Sequence, residues 1–329
     1  MRNAVFRSTG SYAPEWVLPN QYFNDLLGED VDTWLVENLT IRERHWCKKS
    51  ESTADLCVHA ATRTLKNAGI AASDLDLIIV ATDTPEYISP STASVVQYRI
   101  GAKNAGTFDI NTACAGFVTG VDVASKFIRA DEFYRNILVI GAYAMSKYLD
   151  RADKKTVTLF ADGAGAAILG SENNSDRGFL GSELISQGQY HDWMGIYAGG
   201  TQKPMSFEVL NNKDHLLKFV RKFPTEINPE IWTRMVQTLC KRLKIQPHDV
   251  DCYFFTQINI NSINRTLDNL SLPHTRAHNV MDRYAYTGSA CIPMAFDDAI
   301  QQNKIRQNDL IFFIGSGGGL AFASAAFRF

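Results

Sequence analysis

Two apolar runs in this chain stand in the same setting, one repeat length apart. Asp249-Val250-Asp251 leads into Cys252-Tyr253-Phe254-Phe255 just as Asp74-Leu75-Asp76 leads into Leu77-Ile78-Ile79-Val80-Ala81-Thr82, an offset of 249 − 74 = 175. A second pair, Asn136 to Gly141 and Asp309 to Gly315, ends on glycines 315 − 141 = 174 apart. Two echoes at nearly one spacing restrict the fold to a tandem duplication, with halves at 1–175 and 176–329. The runs are continuous rather than alternating, the pattern of strands covered on both faces. Helix-like segments separate them, so each half reads as a layered α/β unit. At 329 residues the chain also exceeds one ordinary core.

The same offset draws attention to Cys114. Thr107 to Ile110 is β-prone, small residues surround the cysteine, and Val121 to Ile128 reads as a helix. Cys114 therefore stands at a helix N-terminus, where unpaired N–H groups and the helix dipole favour an anion; thiolate is the nucleophilic form of cysteine. The competing reading is a small buried apolar residue. In the second half Thr287-Gly288-Ser289-Ala290 falls on Thr112-Ala113-Cys114-Ala115, with serine in place of the thiol. Serine serves where only a small residue is needed, so the single thiol reads as a nucleophile.

Elsewhere the pattern gives a strand at Ala4 to Thr9 and a helix through Asn24 to Leu27. Ser52-Thr53-Ala54-Asp55 resembles a capping box opening a helix to about Asn67, which Gly69 stops. Another helix spans Ala93 to Ile100. Thr156 to Leu169 reads as a turn between two strands, with Gly163 and Gly165 as turn residues. Residues 177–229 are irregular apart from a helix near His215 to Phe223. Trp34, taken alone, reads as core filling. The 33 basic and 35 acidic residues give no general reason to bind nucleic acid. Without a signal-like N-terminus or an apolar run of about 18 residues, no membrane segment is expected and the location reads as cytoplasmic. Six cysteines without a C-x-x-C pair argue against a metal site and a disulfide framework, and most read as reduced and buried.

A set of motifs then identifies a relationship. They are Thr33-Trp34 followed by Ile41-Arg42-Glu43-Arg44-His45, Ala81-Thr82-Asp83-Thr84-Pro85 with Pro90-Ser91-Thr92-Ala93, and Phe108-Asp109 through Ala113-Cys114-Ala115-Gly116-Phe117. To these are added Phe160-Ala161-Asp162-Gly163-Ala164-Gly165, Asp282-Arg283-Tyr284 and Gly315-Ser316-Gly317-Gly318-Gly319. With them the chain resembles, nearly end to end, the β-ketoacyl-ACP synthase III branch of the thiolase-like condensing enzymes. The resemblance implies a five-layered αβαβα fold of two duplicated halves, and a homodimer or a heterodimer with a related synthase. It also implies a cysteine acylated by CoA or acyl carrier protein, the phosphopantetheine thioester being substrate and no cofactor being needed. By the same resemblance the backbone N–H groups of Cys114 and Gly318 form the oxyanion hole; read alone, the glycine run would be a flexible turn.

Departures from the family pattern shape the expected chemistry. In its His-Gln-x-Asn motif this chain has Thr256-Gln257-Ile258-Asn259, and in its Gly-Asn-Thr-Ser motif it has Ala285-Tyr286-Thr287-Gly288. Threonine cannot take up a proton near neutral pH as imidazole does, and a tyrosine has a pKa near 10. Each retains one donor. Self-acylation of Cys114 is therefore expected to survive while malonyl decarboxylation is weak or absent. Trp34 matches the adenine-stacking tryptophan, but Lys154 replaces its arginine partner and lacks a planar stacking face. Asn38 and Asn261 stand where further arginines are common, and Asn259 is expected at the substrate. His191 and His278 read as surface or satisfied histidines. The favoured function is an acyltransferase; the alternatives are a non-catalytic partner subunit of a complete condensing enzyme, or a conventional 3-oxoacyl-ACP synthase with an altered site.

Overall fold

The computed structural model describes residues 2–173 and 176–329. The expected division at 175/176 lies outside the described residues. In chain order the elements begin β1 (Arg2–Tyr12), β2 (Trp16–Pro19), α1 (Asn20–Leu27), α2 (Asp32–Leu39), β3 (Glu43–Trp46) and α3 (Thr53–Ala68). They continue with β4 (Leu77–Ala81), α4 (Thr92–Ile100), β5 (Gly106–Ile110), α5 (Gly116–Ala130), β6 (Asn136–Ala144), α6 (Lys154–Val157) and β7 (Asp162–Asn173). Then come β8 (Gly178–Ser186), β9 (Met194–Gly195), α7 (Phe207–Asn211), β10 (Lys218–Phe219), α8 (Ile227–Leu243) and β11 (Cys252–Phe255). The chain closes with α9 (Ile260–Asn269), α10 (Met281–Tyr284), α11 (Cys291–Gln301), β12 (Leu310–Gly317) and β13 (Ala321–Arg328).

Two mixed sheets carry the fold, ordered β1-β7-β6-β4-β5 and β11-β12-β13-β8. The echo seen in the sequence is an echo of topology: β4 pairs parallel with β6, and β11 pairs parallel with β12. Both β4 and β11 are buried at every residue, as continuous apolar runs require. Where the first sheet adds β5 beside β4, the second has, among the described residues, only a single parallel bridge, Tyr253 to Ala277. Helices α5 and α11 lie between the sheets, α3 and α4 cover the outer face of the first, and α8 covers that of the second. This is the αβαβα layering of the thiolase-like fold.

Local chemistry explains the best-defined helix. Ser52 and Asp55 form the expected capping box, and Gly69 ends α3 in the left-handed conformation that glycine adopts without penalty. Two readings need correction. Thr156 to Leu169 is not a turn between two strands: β7 runs unbroken from Asp162, and Gly163 and Gly165 lie inside it. A Cβ at Gly165 would stand 2.7 Å from Pro293 and Met294 backbone atoms, so these glycines let α11 approach the sheet. The segment His215 to Phe223 is not a helix; its centre is β10, paired with β9.

Candidate active site

The thiol is carried by a turn that neighbouring backbone compresses. β5 ends at Ile110, α5 begins at Gly116, and between them Ala113 takes φ +46°, a conformation unfavourable for a residue with a Cβ. The end of β12 packs directly on this turn. A Cβ on Gly317 would stand 2.5 Å from the Cys114 nitrogen, and one on Gly315 would stand 2.9 Å from the Ala115 Cα. The glycine run is thus a site of close approach rather than a flexible turn.

Cys114 is 3% exposed, and that surface opens into a cavity of about 370 Å³. Trp34, Asn259, Tyr286 and Gly318 line the same cavity, so five of the expected site residues come together. Trp34 is 54% exposed, which removes it from the core and sets it in the cavity wall. Asn259 caps α9: its Oδ1 accepts from Asn261 N at 2.9 Å, leaving its amide N–H groups for the cavity. Among the described residues neither the Cys114 nor the Gly318 N–H donates to another residue.

Two expected members sit elsewhere. Thr256 is buried off the cavity, its Oγ1 accepting from Ser316 N at 2.8 Å and donating to Ser316 O at 3.2 Å. Its one donor is spent within the fold, so it does not offer the hydrogen bond anticipated for it. Lys154 also does not line the cavity; its Nζ pairs with Glu29 at 2.7 Å on the surface. Asn38 and Asn261 form a brace, with Asn261 Nδ2 donating to Asn38 O at 2.9 Å and Asn38 Nδ2 to Trp34 O at 3.0 Å. His278 is satisfied as expected, by Asp298 and Lys304.

Tyr286 differs from Thr256 in reach. Its main chain is pinned to the segment before β7, N to Leu159 O at 3.0 Å and O from Ala161 N at 2.9 Å. The buried phenol faces the Cys114 sulfur. Burial holds the thiol well above the ordinary cysteine range and the charge of Asp83 adds to this, while the Tyr286 hydroxyl acts in the opposite sense. The phenol itself is raised, by burial first and then by Cys114. Burial thus opposes the thiolate that the helix terminus is expected to favour.

Sequence reasoning missed part of the wall. Phe219, Lys222 and Phe223 line the cavity from beyond the irregular 185–210 segment; that segment is expected to supply pocket walls and does so through Met194. Lys222 is exposed there and makes no ion pair among the described residues. No periodicity marks such residues, because they occupy loops and the two-stranded β9/β10 ribbon. Asp83 was also missed as a charge, although it stands in a quoted motif. Among the described residues no helix is long and apolar enough to cross a membrane. All six cysteines are buried and free.

Comparison with known proteins agrees with this architecture. A family described as 3-oxoacyl-[acyl-carrier-protein] synthase III matches residues 108–188, and its C-terminal counterpart matches residues 234–329. A β-ketoacyl-[acyl-carrier-protein] synthase III of Natranaerobius thermophilus is 34% identical over 334 residues, covering all of both chains. One from Desulfitobacterium hafniense is 36% identical over 327 residues, covering 97% of this chain and 96% of its own. The crystal structure of 3-oxoacyl-[acyl-carrier-protein] synthase III from Aquifex aeolicus superposes with a TM-score of 0.89 at 28% identity, covering 99% of this chain and all of that one. The fold is that of the thiolase-like condensing enzymes. The chain belongs to the 3-oxoacyl-ACP synthase III family.

Proposed function

We propose that this chain is an acyltransferase whose Cys114 takes an acyl group from a CoA or acyl-carrier-protein thioester and passes it to an acceptor, with malonyl decarboxylation weak or absent. The observation that carries this reading is a lone thiol opening into a cavity that also presents the Gly318 backbone and the exposed face of Trp34. In the first step the sulfur attacks the thioester carbonyl, the C–S bond to the carrier breaks, and the cysteine proton ends on the departing carrier thiol. The oxyanion formed on the way is held by the Cys114 and Gly318 N–H groups, which have no other residue to serve. Tyr286 supports the sulfur as it loses its proton. Lys222 at the cavity gives the carrier's phosphate a cation in place of Lys154, which is held by Glu29.

The second half of the family reaction lacks support here. Thr256 is bound to the Ser316 backbone and Tyr286 is turned to the thiol, so neither is free to hold an enolate oxygen. Intact-protein mass spectrometry after incubation with a panel of acyl-CoA and acyl-ACP thioesters tests the reading. An acyl adduct is expected on the native protein and none on Cys114→Ala. Carbon dioxide release from malonyl-ACP is expected to stay at the level of Cys114→Ala. Absence of any adduct, under conditions that acylate a conventional family member, defeats the acyltransferase reading; brisk carbon dioxide release makes the chain a conventional synthase.

A further inference from the structure

A second cavity, of about 250 Å³, shares wall residues with the first. Gly318 and Met194 wall both cavities, and Ala113, the neighbour of Cys114, lines the second one. An acyl group attached to the sulfur therefore has a place to extend, past Gly318. The wall of this second cavity is mixed: Met145, Met194, Ile196 and Leu217 are apolar, and polar groups stand among them. Asp83, Asn111, Tyr143, His191 and Tyr197 all face the cavity. Asp83 stands two residues past the end of β4, its Oδ1 is buried with no hydrogen-bond partner, and no side-chain bond is made by its other oxygen among the described residues. No lysine or arginine lines the cavity, and the histidine there is exposed at its rim.

A carboxylate in such a place is costly. A buried charge ordinarily has a partner, and an acceptor left unpaired loses its hydration without return. Asp162, fully buried near the site, takes the Cys47 and Ser146 N–H groups at 2.7 and 2.8 Å, whereas Asp83 is partly buried and its buried Oδ1 takes none. Asp83 receives only its own backbone N–H among the described residues, and its Oδ1 receives nothing, so that oxygen is free to accept from a group entering the cavity. Asp83 lines a cavity that adjoins the one into which Cys114 opens.

We infer that this cavity is an acyl-selecting subsite in which Asp83 receives an acyl group ending in a hydrogen-bond donor, an ammonium above all, in preference to a plain alkyl chain. The inference rests on the acyl-thioester reading of Cys114. It narrows the substrate class to short acyl groups with a terminal amine or hydroxyl. Burial pushes the Asp83 carboxyl up to about 6, which still leaves it ionised at neutral pH and able to pair with a cation. A hydroxyl can donate to the same oxygen, with less gain.

Three isosteric pantetheine thioesters separate the possibilities: β-alanyl, 3-hydroxypropionyl and butyryl differ only in whether the terminal group is ammonium, hydroxyl or methyl. The initial rate of adduct formation on Cys114, followed by intact-protein mass spectrometry at pH 7, is the readout. The expected order is β-alanyl, then 3-hydroxypropionyl, then butyryl, with about tenfold or more between the first and the last, since hydrogen bonds to charged groups are worth about 1.5–3 kcal/mol. Asp83→Asn is expected to collapse the preference for β-alanyl, and Asp83→Leu to invert it toward butyryl. Should Asp83→Leu fail to fold, the Asp83→Asn result decides alone. Equal rates for the three donors overturn the inference while leaving Cys114 as an acyl carrier. So does a uniform loss over all three in Asp83→Asn, which would mark the carboxylate as a base or a structural group. No adduct with these or any other donor defeats the underlying acyltransferase reading instead.

Discussion

Hydroxyls at positions 256 and 286 do opposite jobs, and the difference lies in what surrounds them. The Thr256 hydroxyl ties the end of β11 to the end of β12 through both backbone groups of Ser316. The Tyr286 phenol stays beside the sulfur. Sequence could name both substitutions but could not show which hydroxyl would be consumed, because that depends on a strand 60 residues away. Asp83 was hidden in the same way: a carboxylate between two threonines gives no hint that a cavity forms around it. Its position makes a prediction about stability. An unfolded aspartate titrates near 3.9, whereas burial pushes Asp83 up to about 6. Between those values the folded chain binds more protons than the unfolded one, so stability falls as pH rises through this window and the penalty is complete above it. The penalty is on the order of 2–3 kcal/mol. Asp83→Asn is accordingly expected to melt above the native protein at pH 7 and to lose most of that advantage near pH 4, as followed by circular dichroism. An unchanged melting temperature at pH 7 would contradict an unpaired carboxylate.

At the scale of elements, the site is a meeting of two strand ends, β5 and β12, each followed by a tight turn. Periodicity revealed the strands themselves: β4, β11 and most of α3 follow from continuous apolar runs and one capping box. What periodicity lacks is any record of one element approaching another. Gly163 and Gly165 looked like turn residues because glycine commonly ends strands, yet α11 crosses β7 too closely there for a side chain. Gly317 obeys the same rule beside the nucleophile. Gly317→Ala puts a methyl 2.5 Å from Cys114 N and 2.7 Å from Thr112 O, both backbone atoms that yield only if the thiol turn moves. Displacement of about 1 Å at a reacting group can cost about 10²-fold in rate. Gly317→Ala is therefore expected to lower the rate of Cys114 acylation by about that factor. Gly188→Ala, whose added methyl meets nothing within 4 Å, is expected to change neither acylation nor melting. Mass spectrometry of the two variants side by side gives the comparison, and an unimpaired Gly317→Ala would mean that the turn is less constrained than its contacts imply.

For the molecule as a whole, the sheets are not equally finished. The second sheet ends at β11 with, among the described residues, only the Ala277 bridge beyond it, whereas the first ends at β5, a full strand bonded to β4 on one side alone. Both faces of β5 are occupied. Asp109 accepts the Thr92 and Ala93 N–H groups at 2.6 and 2.8 Å, capping α4, and Phe108 packs toward Phe127 of α5. Its outer edge is open, and an open edge is a template for another strand. That edge belongs to the segment that delivers Cys114, so pairing there would stiffen the nucleophile's own support. The homodimer implied by the resemblance would cover this edge if a second copy paired along it. Gly106 N and Ile110 O both bond toward β4, so with even spacing the backbone groups of Thr107 point outward. Thr107→Pro removes one outward N–H without touching the β4 ladder, and proline is tolerated on an edge strand. Light scattering coupled to size-exclusion chromatography is expected to give 2 × 36.7 = 73.4 kDa for the native chain and a folded monomer for Thr107→Pro. A dimer that survives this substitution would place the contact elsewhere. A native monomer would instead require a related synthase, whose own edge strand would complete the sheet.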